Sequence, residues 1–272
     1  MIKQLENKLE FLLKNKYKWY ELIKYNIKVA GSGSFVNFMG VISNVIFITA
    51  LMYIWSTKSA SQEIFTYLLI GRIYKSIGEN YFYGTLSYDI LIGKLSNKLL
   101  LPTSIFFHYF FLMIGRRIFR NLLELIGYTI STILCVYFFI APIFNLLSAL
   151  FILLLVPITF FINHLIGSLV GCIAFNIKNK RDFDGIDKVW NRVRDVVSGG
   201  LIPLSMLPYS GFFSILPTSF ILHHPMQIYL GKYNSSEIIM TFVGGISWCF
   251  VLFILARVVF KIGMKKNEAV GL

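Results

Sequence analysis

Ionisable side chains embedded in apolar sequence are the residues of this chain with chemistry to offer. Arg72, Lys75 and Glu79 fall in an otherwise largely apolar and aromatic stretch that starts near Glu63 and ends near Tyr83. A charge inside a bilayer is expensive and marks a polar route or ion path by default. Lys75 and Glu79 stand four residues apart, the spacing that pairs opposite charges on one helix face, and Arg72 lies one turn earlier. The three read as lining a polar translocation route or a cytoplasmic vestibule. The plainer reading ends the helix sooner and lets the cations snorkel to the interface. Arg120 and Glu124 share the same spacing and read as a structural pair. His223 and His224 are adjacent, so on a helix they point apart, and no carboxylate or cysteine is near them in sequence; they do not read as a metal site. His108 and His164 read as packing or interface residues. Cys135, Cys172 and Cys249 all sit in apolar runs and read as packing residues, not as a disulfide framework or a metal cluster. Ser32 and Ser34 have no base at suggestive spacing. Neither H-E-x-x-H nor G-x-S-x-G occurs. The phosphate-binding pattern G-x-x-x-x-G-K-[ST] is missing too: Gly93-Lys94-Leu95-Ser96 lacks both the upstream glycine and a hydroxyl directly after lysine. No catalytic residue, metal or cofactor is expected in this chain, and any ATP chemistry belongs to a partner.

The elements that must position these groups belong to a membrane. Of 272 residues, 56% are hydrophobic, 17% aromatic and 14% charged, against about 25% charged in soluble domains. Mean hydropathy is +0.69. One span takes ~20 apolar residues, so the length allows six spans with little left over, which excludes a large soluble catalytic domain. The net charge of +13 comes in blocks between apolar runs, a pattern of membrane topology and anionic headgroups and not of nucleic-acid binding. Residues 17–30 alternate at helical period, with Trp19, Leu22, Ile23, Ile27 and Ala30 on one face and Lys18, Glu21, Lys24 and Lys28 on the other. That is the pattern of a helix lying in the membrane interface, and Gly31-Ser32-Gly33-Ser34 breaks it.

Six spans follow. The first covers residues 35–55, the second 63–83, the third is centred on 122–140, and the fourth covers 146–175. The fifth is short, beginning in the amphipathic residues 186–197 and drawing on Leu201–Leu207. The sixth covers 238–260. Residues 103–120 read either as a connecting helix or as the start of the third span. Pro203, Pro208 and Pro217, with Gly199, Gly200 and Gly211, forbid a straight helix as far as Met226. Such a broken segment is tolerated at membrane depth only where protein or a cavity surrounds it. With both termini cytoplasmic, 24 basic residues fall on the inner side and only Lys58 and Lys232 on the outer, which fixes the orientation. The chain thus divides into a cytoplasmic N-terminus with its interfacial helix (1–34), a transmembrane domain (35–260) and a cytoplasmic tail (261–272). No cleavable signal peptide is apparent.

Two stretches carry a resemblance. Asp89 to Pro102, DILIGKLSNKLLLP, resembles the signature that follows the second span in permeases of the ABC type-2 exporter superfamily. Ser198 to Pro208, SGGLIPLSMLP, resembles that superfamily's element ahead of an extracytoplasmic re-entrant segment, continued by Pro217, Pro225 and Gly231. The viologen- and drug-exporter-like branch is the most similar. Leu101 departs from the pattern, standing where the superfamily often has arginine. The resemblance implies an all-α polytopic fold with an N-terminal elbow helix, six spans, a cytoplasmic coupling helix between spans two and three, and re-entrant helices between spans five and six. It implies two permease subunits, the same or homologous, working with two ATPase subunits that hold the ATP and Mg. Residues 84–97 agree from their own composition: on the basic side of the membrane they mix apolar and polar side chains, as a segment docking in a partner's groove requires. Asp89, Ile90, Leu91, Gly93, Lys94 and Leu95 are the expected ATPase-coupling residues, with Gly93 either permitting close approach or ending a helix. Gly199, Gly200, Pro203, Pro208, Pro217 and Pro225 are the expected exit region.

The resulting expectation is a permease subunit in a bacterial cytoplasmic membrane, moving an amphiphilic or drug-like substrate. A polytopic membrane enzyme would need His, Asp and Glu clustered at one membrane face, which the sequence does not offer. A non-transporting scaffold or immunity protein would differ in not stimulating an ATPase.

Overall fold

The computed structural model describes residues 19–29, 34–56, 61–78, 82–100, 105–139, 141–177 and 179–271, and within them every regular element is helical. Helix α1 covers residues 19–29. It is followed by α2 (Ser34–Ser56), α3 (Gln62–Gly78), α4 (Phe82–Leu91), α5 (Leu95–Leu99), α6 (Ile105–Phe138), α7 (Leu146–Gly171), α8 (Lys180–Val197), α9 (Ser210–Ile215), α10 (His223–Tyr229) and α11 (Ser235–Gly271). Single 3-10 stretches occupy Cys172–Asn176, Leu204–Met206 and Pro217–Ile221. Four helices are long and apolar enough to cross a bilayer: Phe38–Ser56, Ile105–Phe138, Leu146–Asn176 and Ser235–Lys265. α3 has 17 residues and carries two cations, while α8 is dominated by charged side chains, so neither qualifies by length and composition alone.

α6 settles the status of residues 103–120 from Ile105 onward: they are the first half of one continuous helix of 34 residues. At 1.5 Å per residue it is about 51 Å long, against a hydrocarbon core of about 30 Å. Its excess length carries Tyr109, Met113 and Arg116 into a second packing layer with α4 and α5. There Leu86, Ile90, Leu95, Tyr109, Phe160, Phe183 and Phe260 form one apolar cluster.

α7 is the axis of the molecule. Its N-terminus is capped by Asn145, whose side chain accepts from the Ser148 N–H at 3.2 Å, satisfying a donor that the first turn leaves unpaired. One end of α7 packs with α2, α3 and α10 around Met52, Phe65, Leu69, Leu155 and Met226. Its middle packs against α11 and the Pro217–Ile221 turn through Ile162, Leu165, Ile221, Leu252 and Ala256. α3 is tied to it by polar rungs. The Asn163 amide donates to the Gly78 carbonyl at 2.8 Å, and the Tyr74 and Thr159 hydroxyls meet at 2.7 Å.

Between α8 and α11 the chain breaks as its prolines require, into pieces of three to seven residues. The sequence places part of a fifth span in Leu201–Leu207, but the helix stops at Val197. The Gly200 N–H donates to the Asp195 carbonyl at 2.7 Å and the Gly199 N–H to Val196 at 3.0 Å, with Gly199 at φ +86°. That is a Schellman stop, and it turns the chain before the apolar residues beyond it can extend the helix. Carbonyls exposed by the breaks find side-chain donors from neighbouring helices. Trp248 Nε1 donates to Ile215 at 3.0 Å, Thr159 Oγ1 to Phe220 at 3.0 Å, and His224 Nε2 lies 2.8 Å from the Ser214 oxygen. Burial, with Glu237 second, pushes the Tyr233 hydroxyl up to about 12. The Ser214 carbonyl can only accept, so the His224 proton sits on Nε2, and the Tyr233 hydroxyl donates to Nδ1 at 2.8 Å.

α1 lies against α6. Trp19 stacks on Phe111 with ring centroids 4.7 Å apart, and at Gly115 a Cβ would come within 2.6 Å of the Ile23 carbonyl oxygen. Backbone cannot yield as a flexible side chain does. Gly115→Ala is therefore expected to destabilise the protein by about 1–3 kcal/mol. Gly40→Ala, at a helical position with nothing within 4 Å of the added carbon, is expected to gain up to about 1 kcal/mol. Unfolding of detergent-purified protein measures both; equal signs would place α1 elsewhere.

Candidate functional site

Four helices, α2, α3, α6 and α8, surround a cavity of about 280 Å³. Asn44, Phe47 and Ile48 come from α2; Arg72, Lys75 and Ser76 from α3; Arg120, Glu124 and Tyr128 from α6; Asn191, Arg194 and Asp195 from α8. Lys75 is 13 residues from the start of α3 and Glu124 is 14 from the end of α6. At 1.5 Å per residue both stand about 20 Å from the end of the molecule where those two termini lie. The polar residues thus form a layer at one depth.

Each carboxylate in this layer faces two cations. Lys75 Nζ donates to Asp195, and Arg194 lies 3.9 Å from the same oxygen. Glu124 accepts from Arg117 at 3.0 Å and from Arg120 at 2.9 Å, and the Tyr128 hydroxyl approaches it at 3.5 Å. Arg117 also donates to the Ser76 carbonyl, so it ties α6 to α3. Arg72 lies over the Phe47 ring, 4.5 Å from its centroid, a favourable cation–π arrangement. Lys75, Arg117, Glu124 and Arg194 are buried, whereas the Arg120 side chain is 47% exposed.

The structure brings Arg72 and Lys75 together at the cavity; Glu79 lies outside the described residues. The Arg120–Glu124 pair forms as its spacing indicates. Sequence spacing offered Lys75 a neighbour four residues on and missed Asp195, which is 120 residues away. Arg117, Asn191 and Arg194 were missed for the same reason. A signal existed: Asn191, Arg194 and Asp195 share one face of an amphipathic helix at spacings of three and four.

The second expected site is the α4–α5 hairpin. Gly93 sits at φ +72° with nothing within 4 Å of an added Cβ. It therefore ends α4 in a left-handed turn and is not a point of close approach. Asp89, Ile90 and Leu95 are buried. Asp89 accepts from Tyr109 at 2.6 Å and from Lys98, and Arg116 donates to Thr85 at 3.2 Å. These contacts clamp the hairpin to α6 and turn Asp89, Ile90 and Leu95 away from any outside surface. Leu91 is half-buried, and Lys94, Tyr88, Ile92, Leu99 and Leu100 face outward. Leu101 lies outside the described residues.

In the broken segment, Gly199 and Gly200 form the α8 stop described above. Pro203 and Pro225 are buried, Pro217 opens the last 3-10 turn, and Pro208 is exposed beside Tyr209, itself at φ +60°. Among the described residues no three His, Cys, Asp or Glu side chains converge to hold a metal ion.

Removing one partner of a buried ion pair strands the other and costs about 3–5 kcal/mol. Glu124→Gln leaves both Arg117 and Arg120 without their carboxylate and is expected to cost that much. Arg120→Gln at the exposed end of the same network is expected to cost less than about 1 kcal/mol. Thermal or denaturant unfolding of the two variants side by side measures the difference, and equal losses would mean that Arg117 does not depend on Glu124.

No curated protein matches this chain in a sequence comparison. A family model described as ABC-2 family transporter protein matches residues 59–271, from just before α3 to the last turn of α11, and so takes in the α4–α5 hairpin, the broken segment and the cavity walls supplied by α3, α6 and α8, though not those from α2. A multi-pass, all-helical membrane chain that this model covers over most of its length belongs to the ABC-2 family of transporter proteins.

Proposed function

We propose that this chain is the permease subunit of an ATP-driven exporter, forming the path for an amphiphilic or drug-like substrate while a separate ATPase subunit hydrolyses ATP. The observation that carries this reading is the α4–α5 hairpin within an ABC-2 transport chain: clamped to α6 by Asp89, Lys98 and Tyr109, yet presenting Tyr88, Ile92, Lys94, Leu99 and Leu100 outward. A rigid base and a mixed apolar and basic outer face suit a segment that receives force from a soluble partner. Two permease chains, the same or homologous, pair with two ATPase subunits in this proposal, and the bacterial cytoplasmic membrane is their site. Six spans result if α3 and α8 cross alongside the four longer helices. α3 is shielded by the other helices, which removes its need for apolar sides all round, while α8 buries Phe183 and Arg194 and turns its remaining cations outward. α1 then lies along the inner interface, and the segment from Gly199 to Tyr229 dips into the outer side without crossing.

The test is co-purification of this chain with an ABC ATPase subunit from its native membranes. Ile92→Asp with Leu100→Asp removes two apolar side chains of the outer face, 41% and 84% exposed. The double variant is expected to insert normally while retaining at most about a tenth of the ATPase, a loss of about 1.4 kcal/mol or more. Full ATPase recovery would remove the hairpin from the interface. Topology has its own check: single cysteines replacing Ser210 and Lys232, in a chain lacking Cys135, Cys172 and Cys249, are expected to react only with reagent added from outside. Labelling from the cytoplasm at either position would exclude six spans in this orientation.

A further inference from the structure

The cavity layer is rich in cations. Arg72, Lys75, Arg120 and Arg194 line it, Arg117 lies behind Glu124, and among the described residues the carboxylates of this layer are Glu124 and Asp195. Both carboxylates are already committed, each to two of the cations. Lys75, Arg117 and Arg194 are buried. Among the described residues Arg72 Nε, and Arg117 Nε and Nη1, are buried without a hydrogen-bond partner. Buried cations need a counter-charge, and guanidinium groups match the planar or tetrahedral oxygens of carboxylate and phosphate. Asn44, Asn191 and Tyr128 add neutral polar groups on the same walls. The volume of about 280 Å³ lies just under the roughly 300–1,000 Å³ of sites that enclose drug-sized molecules. It suits a headgroup and leaves an apolar tail to the bilayer.

We propose that this cavity binds the anionic headgroup, phosphate or carboxylate, of an amphiphile. The anion site stands on the geometry alone; that its occupant is cargo rests on the export reading above. Arg72, on its Phe47 platform, is the residue that meets the anion, with Arg120 at the open side.

The test uses the full chain with any ATPase that co-purifies, in neutral nanodiscs, with phosphatidylglycerol and phosphatidylcholine as the two lipid probes and inorganic phosphate as a competitor. Phosphatidylglycerol is expected to bind at least about tenfold tighter than phosphatidylcholine. Arg72→Gln is expected to erase most of that preference, Arg72→Lys to keep it within about threefold, and Lys261→Gln, an exposed cation on α11, to leave it unchanged. Arg120→Gln, at a half-exposed position, provides a second reading should Arg72→Gln fail to fold. Displacement by inorganic phosphate would show that the free anion suffices. Resistance to phosphate with the same dependence on Arg72 would assign the site to the lipid headgroup, and either outcome upholds an anion site. Equal affinity for the two lipids, or a preference that survives both Arg72→Gln and Arg120→Gln, overturns it. Anion binding without any ATPase partner would keep the site and sink the export reading; ATPase stimulation without anion preference would do the reverse.

Discussion

A polar group inside hydrocarbon must find its partner within the protein, and most of this architecture answers to that constraint. Helices satisfy it for their own backbones. The chain meets it twice where helices alone cannot: at the layer of charges between α3, α6 and α8, and at the broken segment between α8 and α11. In the first, Asp195 and Glu124 each gather two cations. In the second, Trp248, Thr159 and His224 reach across from other elements to carbonyls that the breaks release. Remove those side chains and neither region has a reason to hold its shape away from water.

The same constraint explains why α7 is central. It supplies Thr159 and Asn163 as polar rungs to α3 and to the Pro217–Ile221 turn, while its remaining faces are apolar enough to serve three packing clusters. The Tyr74 hydroxyl donates to Thr159 and Thr159 donates to the Phe220 carbonyl, which links α3, α7 and the broken segment in one chain of bonds. A displacement of α3 is therefore felt in the broken segment. The α4–α5 hairpin joins this frame at its other end through Asp89, Lys98 and Tyr109. The link from the exposed face of the hairpin to the broken segment runs through buried polar contacts, which have defined partners, and not through interchangeable apolar ones.

Composition and period alone determined that the chain is a helical membrane protein, where the long apolar helices run, that residues 19–29 have an inward apolar face, and that the stretch after Ser198 cannot be one helix. These are local properties: hydropathy over twenty residues, a 3.6-residue repeat, the missing N–H of proline. The Arg120–Glu124 pair was legible because both ends share one turn of helix. Tertiary structure decided which face of the α4–α5 hairpin points inward, so that Asp89 is an anchor while Ile92 and Leu100 are presented. It also decided that Gly199 and Gly200 stop α8 before Leu201–Leu207 can extend it, and that Lys75 meets Asp195 across 120 positions of sequence. No window along the chain contains that pair. The partner of a buried charge is chosen by which helices pack together, and packing is settled by the whole set of apolar faces at once.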